Sequence, residues 1–240
     1  MSSAPLQVIH CDNHLLVVAK PACVPMVPDD SGDPSLLDLA REWVRVEFQK
    51  PGNVFLGVVQ RLDRPVSGVV CFARTSKAAN RLTNALRERR VKKSYWGVAA
   101  REPQDCEGEL EQWLAKDTRR NRVILREPDA EGARRALTRW RIVARAGAGV
   151  LLDLEPVTGR THQLRFAAKT LGSPLLGDVK YGAAEPLADR SIALHARSLT
   201  LDHPTRDIRL LFELPSPDLP CWSFGACDEL RERGTRVQEL

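Results

Sequence analysis

The chain has 240 residues, a formal net charge of +5 and 28% charged residues. This length allows one sizeable hydrophobic core or two small subdomains that share a cleft. Arginine far outnumbers lysine, and the guanidinium group binds phosphates and stacks on bases. A polyanionic partner is therefore the expectation, although a GC-rich genome would also enrich a chain in arginine.

The six cysteines are scattered, without a C-x-x-C pair or a histidine at ligand spacing from any of them. This pattern argues against a zinc site or a disulfide framework and fits a reducing compartment. The N-terminus lacks the pattern of a signal peptide, and no apolar run approaches the roughly 20 residues of a membrane span. We therefore expect a soluble cytoplasmic protein with no metal and no cofactor.

Two short strands are predicted near the N-terminus, over residues 6–10 and 14–19, and the turn residues between them indicate a hairpin. The segment from Lys20 to Pro28 follows, with three prolines in eight residues, and these enforce an extended path. The segment is either a rigid surface linker or part of a functional site, and its residues alone favour neither.

Two amphipathic helices are predicted in the first half of the chain. The first has Ser35 as its N-cap, and the second has Ser76 as its N-cap and runs to about Arg90. The outer face of the second helix is basic, and the positive charge continues into Lys92 and Lys93. That face is either simply solvated or a track for a phosphate backbone.

A polar loop, residues 60–68, lies between two short apolar runs that indicate strands. Its carboxylate, Asp63, has Arg61 and Arg64 on either side. An acid beside guanidinium groups suits an ionised nucleophile or an electrostatic role better than a general acid. The alternative is an ordinary exposed turn, because Asp, Pro, Ser and Gly are the usual residues of turns.

Residues 92–100 predict a strand in which Lys93 and Tyr95 share one face. Tyr95 on its own would be read as a half-buried sheet residue. Residues 105–150 predict short strands separated by polar turns. They also contain a second basic segment, to which the sequence assigns no chemistry: Arg134, Arg135, Arg139 and Arg141.

Residues 150–155 predict a strand that leads into a corner, residues 159–165, and then into a helix that stops at Gly172. Free backbone N–H groups and the helix dipole at such a corner favour an anion. Thr161 and Arg165 are four residues apart and are expected to project from the same side. His162 is expected to be a structural hydrogen-bonding residue rather than a base.

Several strings in this chain resemble the motifs of the RluA-type pseudouridine synthases. They are Arg61-Leu62-Asp63 followed by Ser67-Gly68, Lys20-Pro21, Lys93-Ser94-Tyr95, the seven residues from Gly159 to Arg165, Gly177 to Gly182, and Leu194-His195-Ala196 with His203-Pro204. The corner string GRTHQLR matches the family pattern at every position. The resemblance covers residues 14–204, nearly the whole chain.

The resemblance implies roles for individual residues. Asp63 would be the catalytic carboxylate, Arg165 its ionic partner, and Tyr95 the ring that packs on the base and assists proton removal. Arg61, two residues before the aspartate, would fill the gap left by a flipped-out uridine. The neighbouring basic residues are predicted to contact RNA: Arg64, Arg160 and Lys93.

Three residues depart from the family pattern: Cys23 stands in place of a glycine, Gln60 in place of a histidine, and Val66 in place of a threonine. If the glycine serves a positive φ, Cys23 would be strained. Valine cannot keep the hydroxyl of threonine, so loop geometry and target choice are the features affected.

The implied fold is α+β, the pseudouridine synthase fold, with a mixed, mainly antiparallel sheet flanked by helices and a central active-site cleft. We expect residues 1–240 to form one catalytic domain without the S4 RNA-binding domain of many relatives. The tail, residues 214–240, is expected to be partly irregular and to fray after a short helix near residues 228–233.

The implied function is isomerisation of uridine to pseudouridine in tRNA or rRNA, by a monomer whose partner is RNA, with no membrane and no protein partner. Two alternative functions are also compatible with these residues. One is a catalytically weakened RNA-binding protein of the same fold, and the other is a hydrolase that uses Asp63 with His162.

Overall fold

The computed structural model describes residues 6–147 and 149–240. Its α-helices are α1 (Leu36–Glu47), α2 (Ser76–Arg87), α3 (Gln163–Thr170) and α4 (Gly225–Arg233). Its strands are β1 (Val8–Cys11), β2 (Leu15–Lys20), β3 (Gly57–Val58), β4 (Ser67–Ala73), β5 (Lys92–Ala99), β6 (Glu107–Asp117), β7 (Arg122–Leu125), β8 (Arg134–Ala146), β9 (Gly149–Pro156), β10 (Leu194–Asp202), β11 (Arg209–Glu213) and β12 (Arg236–Glu239). The fold is α+β, as predicted, and none of the described helices is long and apolar enough to span a membrane.

The chain divides into two compact units. Unit 1 contains the described residues up to Lys92, together with Ser198–Leu214 and Gly234–Leu240. Unit 2 contains Lys93–Arg197 and Pro215–Arg233. Each unit is built on antiparallel strand pairs.

Unit 1 begins with the predicted hairpin of β1 and β2. The carboxylate of Asp12 forms the turn, because its Oδ1 accepts hydrogen bonds from the backbone N–H of His14 (2.7 Å) and of Leu15 (2.8 Å). Strand β2 pairs with β4, and both are buried along their whole length. Their continuous runs of aliphatic side chains form the apolar centre of the unit.

The two helices of unit 1 begin at hydroxyl N-caps. Ser35 caps α1 with a capping box: its Oγ accepts from the backbone N–H of Asp38, whose carboxylate accepts from the backbone N–H of Ser35. The N-cap of α2 is Thr75, so the prediction of Ser76 was wrong. Thr75 has the extended backbone of an N-cap and accepts from the N–H of Ala78 at 3.1 Å, whereas Ser76 is already helical.

Unit 2 contains an antiparallel sheet with the strand order β5-β9-β8-β6-β7. Its main core cluster packs Trp96 and Val98 of β5 against Leu151 of β9, and against Trp222 and Phe224, which precede α4. Trp96 and Val98, which alternate with Tyr95 along β5, therefore pack into this cluster.

The prediction that the C-terminal tail frays after its helix was wrong. Helix α4 begins at Gly225, and the residues beyond it form β12, which pairs with β11 in unit 1. The register places Phe212 opposite Val237. Strand β12 is exposed at every position, so its sequence lacks the alternation of apolar and polar residues from which a strand is predicted.

Candidate active site

The Asp63 turn, residues 62–66, contains the candidate site residues of unit 1. The backbone N–H of Val66 donates to the carbonyl of Asp63 at 3.0 Å and closes the turn. Leu62 and Val66 are buried and anchor its two ends. Asp63 lies between these anchors and is half-buried. The loop is therefore a short turn in which a buried apolar side chain on each side of Asp63 anchors the backbone.

A buried lysine holds the backbone of this turn. The side chain of Lys20 is only 1% exposed, and its Nζ donates to the carbonyls of Pro21 (3.0 Å), Arg64 (3.0 Å) and Val66 (2.7 Å). Burial lowers the pKa of Lys20 from 10.5 to about 7, and the negative charge of Asp63 acts in the opposite direction. The ammonium group thus supports the turn and attracts its carboxylate.

Cys23 also contacts the turn, through its backbone. Its N–H donates to the carbonyl of Arg64 at 2.8 Å, and its own carbonyl accepts from Nε of Arg64 at 3.1 Å. Cys23 has φ +66°, in the left-handed region that favours glycine. The expected strain at this departure from the family pattern is therefore present.

The arginines beside Asp63 have different surroundings. Arg64 forms ion pairs with Asp29 and Asp33, so its described charge contacts are with the segment after Cys23. Arg61 is exposed and forms no ion pair or hydrogen bond with another residue of the described chain. Their roles toward RNA remain predictions.

The Arg165 corner, residues 158–165, contains candidate site residues of unit 2. Gln163 fixes it, because its Oε1 accepts from Thr158 Oγ1 (2.7 Å) and from the backbone N–H of Arg160 (3.0 Å). Its Nε2 donates to the carbonyl of Leu137 at 2.9 Å. The corner was interpreted as an anion site with free N–H groups, but Gln163 occupies the N–H of Arg160.

Arg165 lies at the start of α3 and forms a buried ion pair. Its Nε and one terminal nitrogen donate to the two carboxylate oxygens of Asp178, each at 2.7 Å. The side chains are 6% and 1% exposed. The Tyr181 ring lies 5.1 Å from the guanidinium carbon, a distance that allows a cation–π interaction. The two hydrogen bonds to Asp178 fix the plane of the guanidinium group.

Tyr181 connects the corner to the sheet of unit 2. Its hydroxyl oxygen accepts from the backbone N–H of Val123 at 2.8 Å and lies 2.8 Å from Nδ1 of His162. Tyr181 and His162 therefore share one hydrogen bond, whose direction depends on the tautomer of His162. His162 is a hydrogen-bonding residue, as predicted, with φ +49° at the N-cap of α3.

Strand β5 carries the remaining predicted site residues of unit 2. Tyr95 pairs with Leu154 of β9 and is half-buried. Lys93 lies two residues before it on the same face, and burial lowers the pKa of Lys93. A Cβ placed on Gly159 would lie 3.9 Å from Nζ of Lys93, so the lysine and the start of the corner are neighbours. Arg160 is exposed, and its Nε donates to the carbonyl of Arg135 at 2.9 Å.

Three residues of these two clusters were not identified as site residues from the sequence: Lys20, Asp178 and Tyr181. All three lie in quoted family motifs, but no pattern indicated their contacts. The signals were modest: a lysine at the end of an aliphatic strand, and an acid and a tyrosine beside two glycines. Among residues 6–147 and 149–240, no group of three or more His, Cys, Asp or Glu side chains could hold a metal ion.

Comparison with known proteins agrees with the motifs. The sequence model of the RNA pseudouridylate synthase family matches residues 14–169, a range that includes Asp63, Tyr95 and Arg165. A dual-specificity RNA pseudouridine synthase RluA from Haemophilus influenzae is 32% identical over 219 residues, 88% of this chain and 93% of that protein. An uncharacterized RNA pseudouridine synthase from Synechocystis is 30% identical over 208 residues, and the match spans 62% of that longer protein.

Solved structures show the same fold. Human RNA pseudouridylate synthase domain containing 1 has a TM-score of 0.72 and 26% identity, and the match covers 98% of this chain and 89% of that one. Human RNA pseudouridylate synthase domain containing 4 has a TM-score of 0.73 at 23% identity, over 88% and 89% of the two chains. With the family match and the RluA relatives, these findings show that the chain belongs to the RNA pseudouridylate synthase family, as a pseudouridine synthase of the RluA type.

Proposed function

We propose that the protein isomerises one or more uridines of tRNA or rRNA to pseudouridine, with Asp63 as the catalytic carboxylate. The observation that carries the proposal is the Asp63 turn: a half-buried carboxylate on a loop whose carbonyls are held by the buried Lys20. One relative is named a dual-specificity RNA pseudouridine synthase, and another a ribosomal large subunit pseudouridine synthase. Both names support an RNA substrate, and the second name supports ribosomal RNA as one candidate class.

The chemistry requires no oxidant and no cofactor. The bond from ribose C1′ to base N1 breaks, the base rotates, and C1′ bonds to C5; the C5 proton leaves and N1 gains a proton. An ionised carboxylate at Asp63 acts on the ribose. The resemblance assigns Arg165 as its ionic partner, and Asp178 supports this role because it holds the guanidinium group at two points.

Tyr95 is proposed to pack on the loosened base and to assist removal of the C5 proton. Arg61 is proposed to occupy the space that a flipped-out uridine leaves in the RNA, and its exposure is consistent with that role. Lys93, Arg64 and Arg160 are proposed to contact the RNA backbone. The protein is proposed to be a single catalytic domain that acts as a cytoplasmic monomer.

A tritium-release assay tests the proposal. The purified protein is incubated with transcribed tRNA and rRNA labelled with tritium at C5 of uridine, because formation of the C1′–C5 bond releases that label. We expect tritium release equivalent to one or a few uridines per RNA molecule. Carbodiimide mapping should show that pseudouridine is missing at the same positions in RNA from a strain that lacks the gene. RNA binding without release would favour a weakened RNA-binding protein. Release of free uracil would favour a hydrolase.

A further inference from the structure

The second basic segment of the sequence, on β8, is largely neutralised by neighbouring strands. Arg135 pairs with Glu111 of β6 at 2.7 Å, and Arg139 pairs with Glu109 of the same strand at 3.0 Å. Arg141 pairs with Asp153 of β9 at 3.2 Å. These cross-strand pairs leave little uncompensated charge, so the density of arginines on β8 does not indicate a phosphate-binding surface.

The turn between β6 and β7 has the opposite character. Residues 118–121 form this turn, and its Arg119 and Arg120 are both exposed. Neither guanidinium group forms an ion pair or a hydrogen bond with another residue of the described chain. The nearest acid along the chain, Asp117, is engaged elsewhere: it accepts from the backbone N–H of Arg120 at 3.2 Å and lies 3.7 Å from Nε of Arg122.

This turn is fixed in place although its arginines are free. The N–H of Asn121 donates to the carbonyl of Thr118 at 3.3 Å, and Asn121 adopts φ +46°, which asparagine tolerates. From outside the hairpin, Nζ of Lys180 donates to the carbonyl of Asn121 at 2.8 Å. The hydroxyl of Tyr181 accepts from the N–H of Val123, at the start of β7.

The segment that holds the turn also supports the Arg165 corner. Asp178, the partner of Arg165, directly precedes the short 3₁₀ helix Val179–Tyr181 that contains Lys180 and Tyr181. The segment Asp178–Tyr181 therefore contacts both the backbone around the turn and the buried side chain of Arg165. A ligand held by the turn would be held in a defined position relative to Arg165.

We propose that the turn of residues 118–121 is a contact for the RNA substrate, in which Arg119 and Arg120 bind backbone phosphates outside the target uridine. The RNA is that of the proposed function, on which this inference rests. Unpaired guanidinium groups on a fixed turn suit this role, because phosphate binding breaks no existing ion pair and positions the RNA without reading its bases.

The test is the salt dependence of RNA binding by the double variant Arg119→Gln/Arg120→Gln. Affinity for an RNA substrate is measured by fluorescence anisotropy over a series of salt concentrations, and the single-turnover rate is measured at saturating protein. Each lost phosphate contact lowers the slope of log affinity against log salt by about 0.7 to 0.9. We expect a smaller slope, affinity weakened roughly tenfold at low salt, and an unchanged saturating rate.

The matched control is Arg139→Gln/Arg141→Gln, which removes the same charge from paired positions on β8. Its slope and affinity should stay close to those of the wild type. Equal slopes in the two double variants, or a wild-type slope in the turn variant, would overturn the inference. Because binding is measured apart from isomerisation, a wild-type protein that binds RNA but releases no tritium would contradict only the proposed function.

Discussion

The Asp63 turn in unit 1 is held through its backbone: the ammonium group of Lys20 binds the carbonyls of Arg64 and Val66, and Cys23 contacts Arg64 through its own N–H and carbonyl. The Arg165 corner in unit 2 is held through its side chains. Asp178 binds Nε and one terminal nitrogen of the Arg165 guanidinium group, and Gln163 uses both the oxygen and the nitrogen of its amide.

This difference accounts for where the sequence departs from the family pattern. All three departures, Cys23, Gln60 and Val66, lie on or near the Asp63 turn, whereas the corner string matches at every position. A carbonyl accepts from Lys20 whatever side chain its residue has, so Val66 keeps the contact without the hydroxyl of threonine. A side-chain contact depends on residue identity and tolerates fewer exchanges.

The largest effect is expected at Asp63, the proposed catalytic carboxylate. Asp63→Asn should abolish isomerisation and keep RNA affinity within about tenfold, because the amide is nearly isosteric and removes only the ionised oxygen. Tritium release and anisotropy measure the two properties on the same preparation. Substantial turnover by this variant would remove Asp63 from the catalytic role.

A large loss of stability is expected when the side-chain support of unit 2 is broken. Asp178→Asn removes the buried carboxylate charge that Arg165 binds at two points, and removing one member of such a pair costs about 3 to 5 kcal/mol. Urea unfolding measures the loss.

The matched control is Glu109→Gln, which breaks the exposed pair with Arg139. Exposed pairs contribute about 1 kcal/mol or less, so this variant should unfold close to the wild type. Similar losses in the two variants would mean that the buried pair of Arg165 has no special structural role.

Tyr95 separates a role in packing from a role in proton transfer. Tyr95→Phe keeps the ring and removes the hydroxyl, so a hydroxyl that assists proton removal should cost about a hundredfold in rate with RNA binding intact. Tyr95→Leu also removes the flat ring, and stacking on a base is worth about 1 to 3 kcal/mol. Single-turnover rates decide: a wild-type rate for Tyr95→Phe would leave only stacking, and a wild-type rate for Tyr95→Leu would exclude both roles.

The regular elements of the fold were largely predictable from local patterns, because their signals lie within a few residues. The capping box of Ser35 with Asp38 and the hairpin around Asp12 are examples. The N-cap of α2 was missed because Thr75 and Ser76 are adjacent hydroxyl residues, and only the backbone conformation distinguishes them. Strand β12 was missed because its exposed polar residues show no alternation.

The positions of Asp63, Tyr95 and Arg165 followed from motif resemblance, but their supporting residues did not. Lys20 contacts carbonyls 44 and 46 residues away, at Arg64 and Val66, and backbone acceptors leave no mark in the residue types. The partner of Arg165, Asp178, lies 13 residues further along the chain. Both contacts depend on the folded path between distant segments, which periodicity does not determine.

The pH dependence of stability tests the burial of Lys20. Its pKa is about 7 in the folded protein and 10.5 without burial. Between these values the unfolded chain binds more protons, so the contribution of Lys20 to the free energy of unfolding rises with pH, by at most about 1.4 kcal/mol per unit. Below about pH 7 both states are protonated, and this contribution stays constant.

The measurement compares urea unfolding of the wild type and Lys20→Met from pH 6 to 10. The variant lacks this titration, so the stability difference should grow in favour of the wild type above pH 7. Asp63→Asn should move the onset to lower pH, because the Asp63 charge raises the pKa of Lys20. A difference that does not change with pH would mean that Lys20 is not a buried titrating group.

The smallest effect is expected at Cys23. Its contacts with Arg64 are made by the main chain, so we expect the turn to keep its conformation without the thiol. Glycine at φ +66° relieves a strain of about 1 to 2 kcal/mol but adds entropy to the unfolded chain, so Cys23→Gly should change stability by about 1 kcal/mol or less. Its activity should match the wild type, because the contacts with Arg64 are made by the main chain. Cys23→Val should unfold more easily, since a β-branched residue resists positive φ. Loss of activity in Cys23→Gly with Cys23→Val unaffected would show that side chains hold this turn too.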